Sequence, residues 1–147
     1  MKRAFVCATV ALSALLWVTP HARADDDQLQ KDLDALKGEW KVVWNIDADG
    51  KKAKPASNEI QSITFYPKKG KFSWPELNTQ GTFTIDPSQN PATLVFSYVD
   101  PNDKIKYTSD FIYKFDDDKL MLAWQILRKS KSWDEKGMEL VILKRKQ

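Results

Sequence analysis

The sequence predicts an all-β domain, an antiparallel up-and-down barrel of about eight strands entered through one short helix. Three observations carry that expectation. From Glu39 onward apolar residues recur every second position rather than at helical spacing. Clusters of Pro, Gly, Asn and Asp interrupt the apolar runs at short intervals. No segment after Gly38 has convincing helical periodicity, which leaves a parallel βαβ arrangement without its crossovers. A two-sheet sandwich is the alternative; a closed barrel is preferred because it leaves no sheet edge to aggregate.

The first two dozen residues read as a targeting device rather than as part of that domain. Lys2 and Arg3 precede an apolar run from Ala4 to Val18, broken only by Thr9 and Ser13, and Pro20 ends it. Ala22-Arg23-Ala24 then places small residues where a signal peptidase reads. The run, about 15 residues, is short of the roughly 20 that a bilayer span needs. The expected division is therefore a cleavable signal over 1–24 and a single domain over 25–147.

Export changes the chemistry available. The chain has one cysteine and one histidine, Cys7 and His21, and both fall in the signal. So do Lys2, Arg3 and Arg23, which account for the entire net charge of +3. A domain with balanced charge is a poor nucleic-acid binder, since displacing counterions needs a basic surface. No cysteine near the processing site offers a lipid attachment point, so no membrane anchor is expected after cleavage. Without disulfides the domain must rely on its core, which a chain of this length can supply.

Each element has a local cause. Residues 25–37 are expected to form the helix: Asp25-Asp26-Asp27 suits an N-terminus, and Leu29, Leu33 and Leu36 make one apolar stripe. Gly38 stands at the C-cap position. The first strand alternates Trp40, Val42, Trp44 and Ile46 with Lys41, Val43, Asn45 and Asp47, up to the turn Asp47-Ala48-Asp49-Gly50. Further strands are expected over 60–66, 71–74, 81–85, 93–99, 105–115, 120–127 and 138–145. Segments 120–127 and 140–143 are apolar on both faces and need cover on both; the leucine stripe is expected to pack on the sheet as that cover or to plug one end of the barrel.

The stretch Leu36-Lys37-Gly38-Glu39-Trp40-Lys41-Val42-Val43, with Asp49-Gly50-Lys51 after it, resembles the opening of a planctomycete-type family of secreted, lipocalin-like domains of unknown function. Ile63-Thr64-Phe65, Gly81-Thr82-Phe83-Thr84-Ile85-Asp86-Pro87, Ile112-Tyr113-Lys114-Phe115-Asp116 and Leu143-Lys144-Arg145 are similar to its later segments. Gly38-x-Trp40 is also similar to the first signature region of true lipocalins. That resemblance implies a tryptophan at the closed end of the barrel with a basic residue laid across it, here Lys144 or Arg145. Trp40 and Arg145 are the expected closing pair.

Catalysis finds little support. A hydrolytic triad or zinc site wants histidine or cysteine, and residues 25–147 contain neither. No glycine-rich phosphate loop is present, and the aspartate runs lack the twelve-residue calcium-loop spacing. Asp110 and Glu139 are the only mid-strand acids that a carboxylate mechanism could recruit, and their apolar neighbours suggest outward side chains. No catalytic residue, metal ligand or cofactor is therefore expected.

Aromatics are the remaining signal. Trp40, Trp44, Phe65, Phe83, Phe96, Tyr107, Phe111 and Trp124 are the candidate interior and ligand-binding residues. They would either fill the barrel or line a cavity for a small hydrophobic ligand. Trp74-Pro75 and Ser132-Trp133 lie beside turns, as a rim anchor or a packed ring would. The expected function is an exported, non-catalytic barrel binding a small apolar or amphipathic molecule. The alternative is an interaction or structural module with a filled core, using the basic run Arg128-Lys129-Ser130-Lys131-Ser132.

Overall fold

The computed structural model describes residues 21–57, 59–124, 132–133 and 137–146, with side chains from residue 25 onward. The expected signal region before residue 21 and the basic run 128–131 lie outside these residues. Helix α1 (His21–Leu36) leads into β1 (Gly38–Ile46), β2 (Lys52–Ala53), β3 (Ser62–Tyr66), β4 (Lys71–Trp74) and β5 (Thr79–Asp86). The chain continues through β6 (Thr93–Val99), β7 (Lys106–Asp116), β8 (Lys119–Trp124) and β9 (Glu139–Arg145). Strands β3 to β9 form an antiparallel meander, and β1 pairs with both β3 and β9. The result is a closed eight-stranded barrel, an all-β fold of lipocalin-like form, with β2 as a two-residue flap on β1.

Turn chemistry accounts for the tight connections. Asp47 Oδ1 accepts from the backbone N–H of Asp49 and Lys51, at 3.1 and 2.8 Å. Asp100 Oδ1 does the same for Asn102 at 2.7 Å, and Asp86 Oδ1 for Ser88 at 3.1 Å. These aspartates are hydrogen-bond acceptors for their own turns, as short polar side chains commonly are.

Alternate connections gather at opposite ends of the barrel. One end carries α1, the turns after β3, β5 and β7, and the C-terminus of β9. Helix α1 packs there against β5 and the 3-10 turn Pro67–Lys69. Leu36 is fully buried, and Leu33 packs against the same cluster. The stripe therefore plugs the barrel end, the second of the two placements expected for it, and does not cover the outer apolar face of β8 and β9. Ala123 on that outer face is fully buried, and the Trp133 ring lies 4.5 Å from the ammonium of Lys114 on β7. Helix is already present at His21, the first described residue, so the acidic triplet lies within α1. No glycine or proline separates His21 from Lys37, so nothing in the sequence interrupts helix there.

The helix is latched by a buried polar pair. Asp32 sits between the leucines at 7% exposure, and its Oδ2 accepts a 2.6 Å hydrogen bond from the Tyr113 hydroxyl. Gln28 Nε2 donates to the other oxygen at 2.6 Å. Burial, reinforced by the hydrogen bond to Asp32, pushes the Tyr113 phenol far above its ordinary range, so the phenol is held as a donor. Tyr113→Phe should cost about 2 kcal/mol, because it leaves the buried carboxylate one charge-assisted bond short. A folded-state pKa above the unfolded one favours the native state fully below about pH 10, and that advantage fades as pH rises further. Urea unfolding of both proteins should therefore show wild type losing stability above that pH more steeply than Tyr113→Phe. Parallel pH profiles would contradict the latch.

The same end is closed by β9. Arg145 lies with its guanidinium carbon 4.6 Å from the centre of the Trp40 ring. Its Nη1 donates to Lys37 O at 2.5 Å and its Nη2 to Ala35 O, while Trp40 Nε1 donates to Leu36 O at 2.8 Å. Three carbonyls that helix termination leaves without intrahelical partners are thus satisfied by the barrel. Lys144 instead points to Asp118 at 2.8 Å and holds that carboxyl below its usual range. Gly38 makes the helix-to-strand turn with φ +108, a conformation in which a side chain is strained.

Candidate functional site

The barrel is solid in its closed half and hollow in the other. In the closed half Phe65, Phe72, Phe83 and Phe96 interlock, with Phe72 and Phe96 ring centres 4.4 Å apart and Phe65 and Phe83 5.1 Å apart. Toward the opposite end, where β1, β4, β6 and β8 finish and β3, β5, β7 and β9 begin, a cavity of about 580 Å³ opens. Its apolar walls include Trp74, Tyr98, Phe111, Leu122, Trp124 and Val141. Edge-to-face packing supports them: Phe111 against Trp124 at 5.3 Å, and Trp74 against Tyr98 at 4.9 Å.

The polar groups of the lining are few. Asn45 Nδ2 donates to Glu59 Oε2 at 2.7 Å, and the same oxygen accepts from Ala56 N at 2.9 Å, which ties Glu59 to β1 at the cavity. Asp47, Ser109 and Glu139 complete the set. Among the described residues no three His, Cys, Asp or Glu side chains converge closely enough to hold a metal ion. One polar atom of the lining residues is left over. Trp74 is 5% exposed, and its indole N–H is buried without a hydrogen-bond acceptor.

The eight sequence-predicted interior residues divide among five places. Phe111 and Trp124 line the cavity. Phe65, Phe83 and Phe96 belong to the packed core beneath it, and Trp40 is buried at the closed end under Arg145. Tyr107 faces inward but sits beyond the mouth, stacked on Tyr98 at 5.7 Å and donating to Asp103 Oδ2 at 2.6 Å. That bond holds the Asp103 carboxyl below its ordinary range. Trp44 is on the outside, with the Lys52 ammonium 4.1 Å above its ring.

The misplacement of Trp44 has a definite cause. Val42 pairs with Leu143 and Trp44 with Ile142, so two steps along β1 match one step along β9. Val43 is the extra residue of a β-bulge, and a bulge moves every later side chain to the other face. Asn45 therefore turns into the cavity where Trp44 was expected. The run Val42-Val43-Trp44, three apolar residues in succession, is the trace of this bulge in the sequence.

Glu139 also departs from expectation. It pairs with Trp124 on β8, two positions from the inward Val141, and faces the cavity. Asp110 pairs with Val95 and lies on the outer face, between the inward Ser109 and Phe111. The barrel wall separates the two acids, so they do not form a carboxylate pair. Trp74 and Tyr98 were not among the expected lining residues: Trp74 adjoins Pro75, and Tyr98 ends a strand. Searches against protein-family models, curated proteins and solved structures find no match.

Proposed function

We propose that the protein is an exported, non-catalytic carrier or receptor that holds one small apolar or amphipathic molecule in the mouth half of its barrel. The observation that carries this reading is the cavity of about 580 Å³, walled by aromatic and aliphatic side chains. That size and lining fall within the range of small-molecule sites. Its solid floor sets how deep a guest reaches. Membership among secreted lipocalin-like domains is part of the same proposal; it rests on the Gly38-x-Trp40 pattern and on the shape of the barrel. Export rests on the signal-like residues 1–24.

The neutral probe N-phenyl-1-naphthylamine tests the reading. Its fluorescence should rise saturably with one site per chain. Ser109 faces the cavity across the ladder from Phe96, so Ser109→Trp should fill the space and weaken binding at least about tenfold. Trp44→Phe, on the outer wall, should leave binding unchanged. Absence of saturable binding, or binding indifferent to Ser109→Trp, would contradict the proposal. A partner-binding reading draws on the exposed Val99 and Ile105, 50% and 54% exposed beside the mouth, and predicts that probe-indifferent outcome.

A further inference from the structure

We infer that the guest is a rigid fused-ring compound with at least one flat face, rather than a flexible acyl chain. This deepens the ligand-binding reading and rests on it. The shape of the space is the first observation. Along β8 the lining residues Trp124 and Leu122 are followed inward by Leu120, fully buried in the packed half. Two inward side chains along a tilted strand make the space roughly 10 Å deep. A volume of about 580 Å³ over that depth is nearly as wide as it is deep. A single alkyl chain, whose carbons meet their neighbours at about 4 Å, would leave much of that width empty and much of the lining without contacts. A fused-ring body fills it.

The lining is the second observation. Five rings form an unbroken belt, Tyr98–Trp74–Phe96–Phe111–Trp124, with successive ring centres 4.9, 5.4, 5.3 and 5.3 Å apart. Each ring is held by the next, so this wall is set before a guest arrives. Position around the barrel gives the belt its facing surface. In the closed ring of eight strands β1 lies four places from β6, and β3 four places from β7. Tyr98 and Phe111 therefore look across the space at Val42 of β1 and at Ile60, which leads into β3. Trp74 on β4 and Trp124 on β8, also four places apart, stand at its two sides. The result is a slot with rings on one broad wall and branched aliphatic groups on the other. A flat ring system gains on both, through offset or edge contacts with the belt and close packing against the aliphatic side. It also freezes fewer bonds than a chain of equal carbon number, and each bond frozen costs binding entropy.

The test is displacement of bound N-phenyl-1-naphthylamine by two alcohols of equal carbon number, 2-naphthaleneethanol and dodecanol, each corrected for its octanol–water partition. On that scale the ring alcohol should bind about tenfold more tightly. Phe111→Leu should weaken the ring alcohol about fivefold and change dodecanol less than about twofold, with the probe's own affinity measured in each variant. Trp124→Leu should act in the same way; Trp124 stands at the rim of β8, so this variant serves if Phe111→Leu does not fold. Trp44→Phe, on the outer wall, should change neither alcohol. Equal corrected binding of the two alcohols in wild type, or equal proportional loss of both in the folded variants, overturns the inference while the ligand-binding reading stands. Failure of the neutral probe to bind at all overturns both.

Discussion

Gly81→Ala is expected to destabilise the protein by about 3 kcal/mol or more, a drop of roughly 10 °C in Tm for a domain of this size. Gly81 lies on β5 between Phe72 of β4 and Tyr98 of β6, facing the interior. A Cβ there would stand 2.3 Å from Ser97 O, 2.7 Å from Phe72 Cε1 and 2.9 Å from Tyr98 Cβ. The Phe72 ring can swing aside, but the Ser97 carbonyl belongs to the backbone that pairs with β5. Relief requires β5 and β6 to part. Glycine is present because large inward rings crowd this stretch of wall, and the backbone supplies the only room. Thermal melts of Gly81→Ala and of Gly81→Ala with Phe72→Leu separate the two contacts. The second change should fail to restore stability; recovery to near wild type would mean that the ring, not the ladder, is the limit.

Phe96→Ala should cost about 3–5 kcal/mol, the range for truncating a buried phenylalanine. Phe96 is fully buried, and its ring centre lies 4.4 Å from Phe72, 5.4 Å from Trp74 and 5.3 Å from Phe111. Phe72 belongs to the solid half, while Trp74 and Phe111 line the cavity. Phe96 is thus the floor between the two. Its removal should lower the urea midpoint sharply and, in the molecules that remain folded, lengthen the cavity so that longer chains bind better relative to short ones. A loss under about 1 kcal/mol would show that the ring is not close-packed. An unchanged chain-length preference would show that it is not the floor.

Much of this architecture was legible in the sequence because a half-buried strand must alternate and a tight turn must use particular residues. Strands 71–74 and 93–99 coincide with β4 and β6, and the others differ by a few residues. The end of the 120–127 strand lies outside the described residues. β2 escaped notice because Lys52-Ala53, two exposed residues, carries no apolar pattern. The site and its supports were less legible than the fold, for four physical reasons. Alternation gives the face of a side chain only while the register is unbroken, and the bulge at Val43 broke it, which sent Trp44 out and Asn45 in. On β9 both faces are apolar, so the neighbours of Glu139 carried no information about which way it points. Nothing local to Asp32 announces its burial; its partner Tyr113 is 81 residues away, and only folding joins them. Whether the aromatics fill the barrel or line a space depends on packing depth, and composition does not encode that. Both occur here, in different halves.

The central claim, a barrel packed solid at the helix end and hollow at the mouth, is tested most directly by a crystal structure of the protein with N-phenyl-1-naphthylamine. The account predicts one probe molecule against Trp74, Phe111 and Trp124, with Phe96 in place beneath it and Trp44 outside the barrel. A probe bound anywhere else, or a mouth half filled by its own side chains, would contradict it.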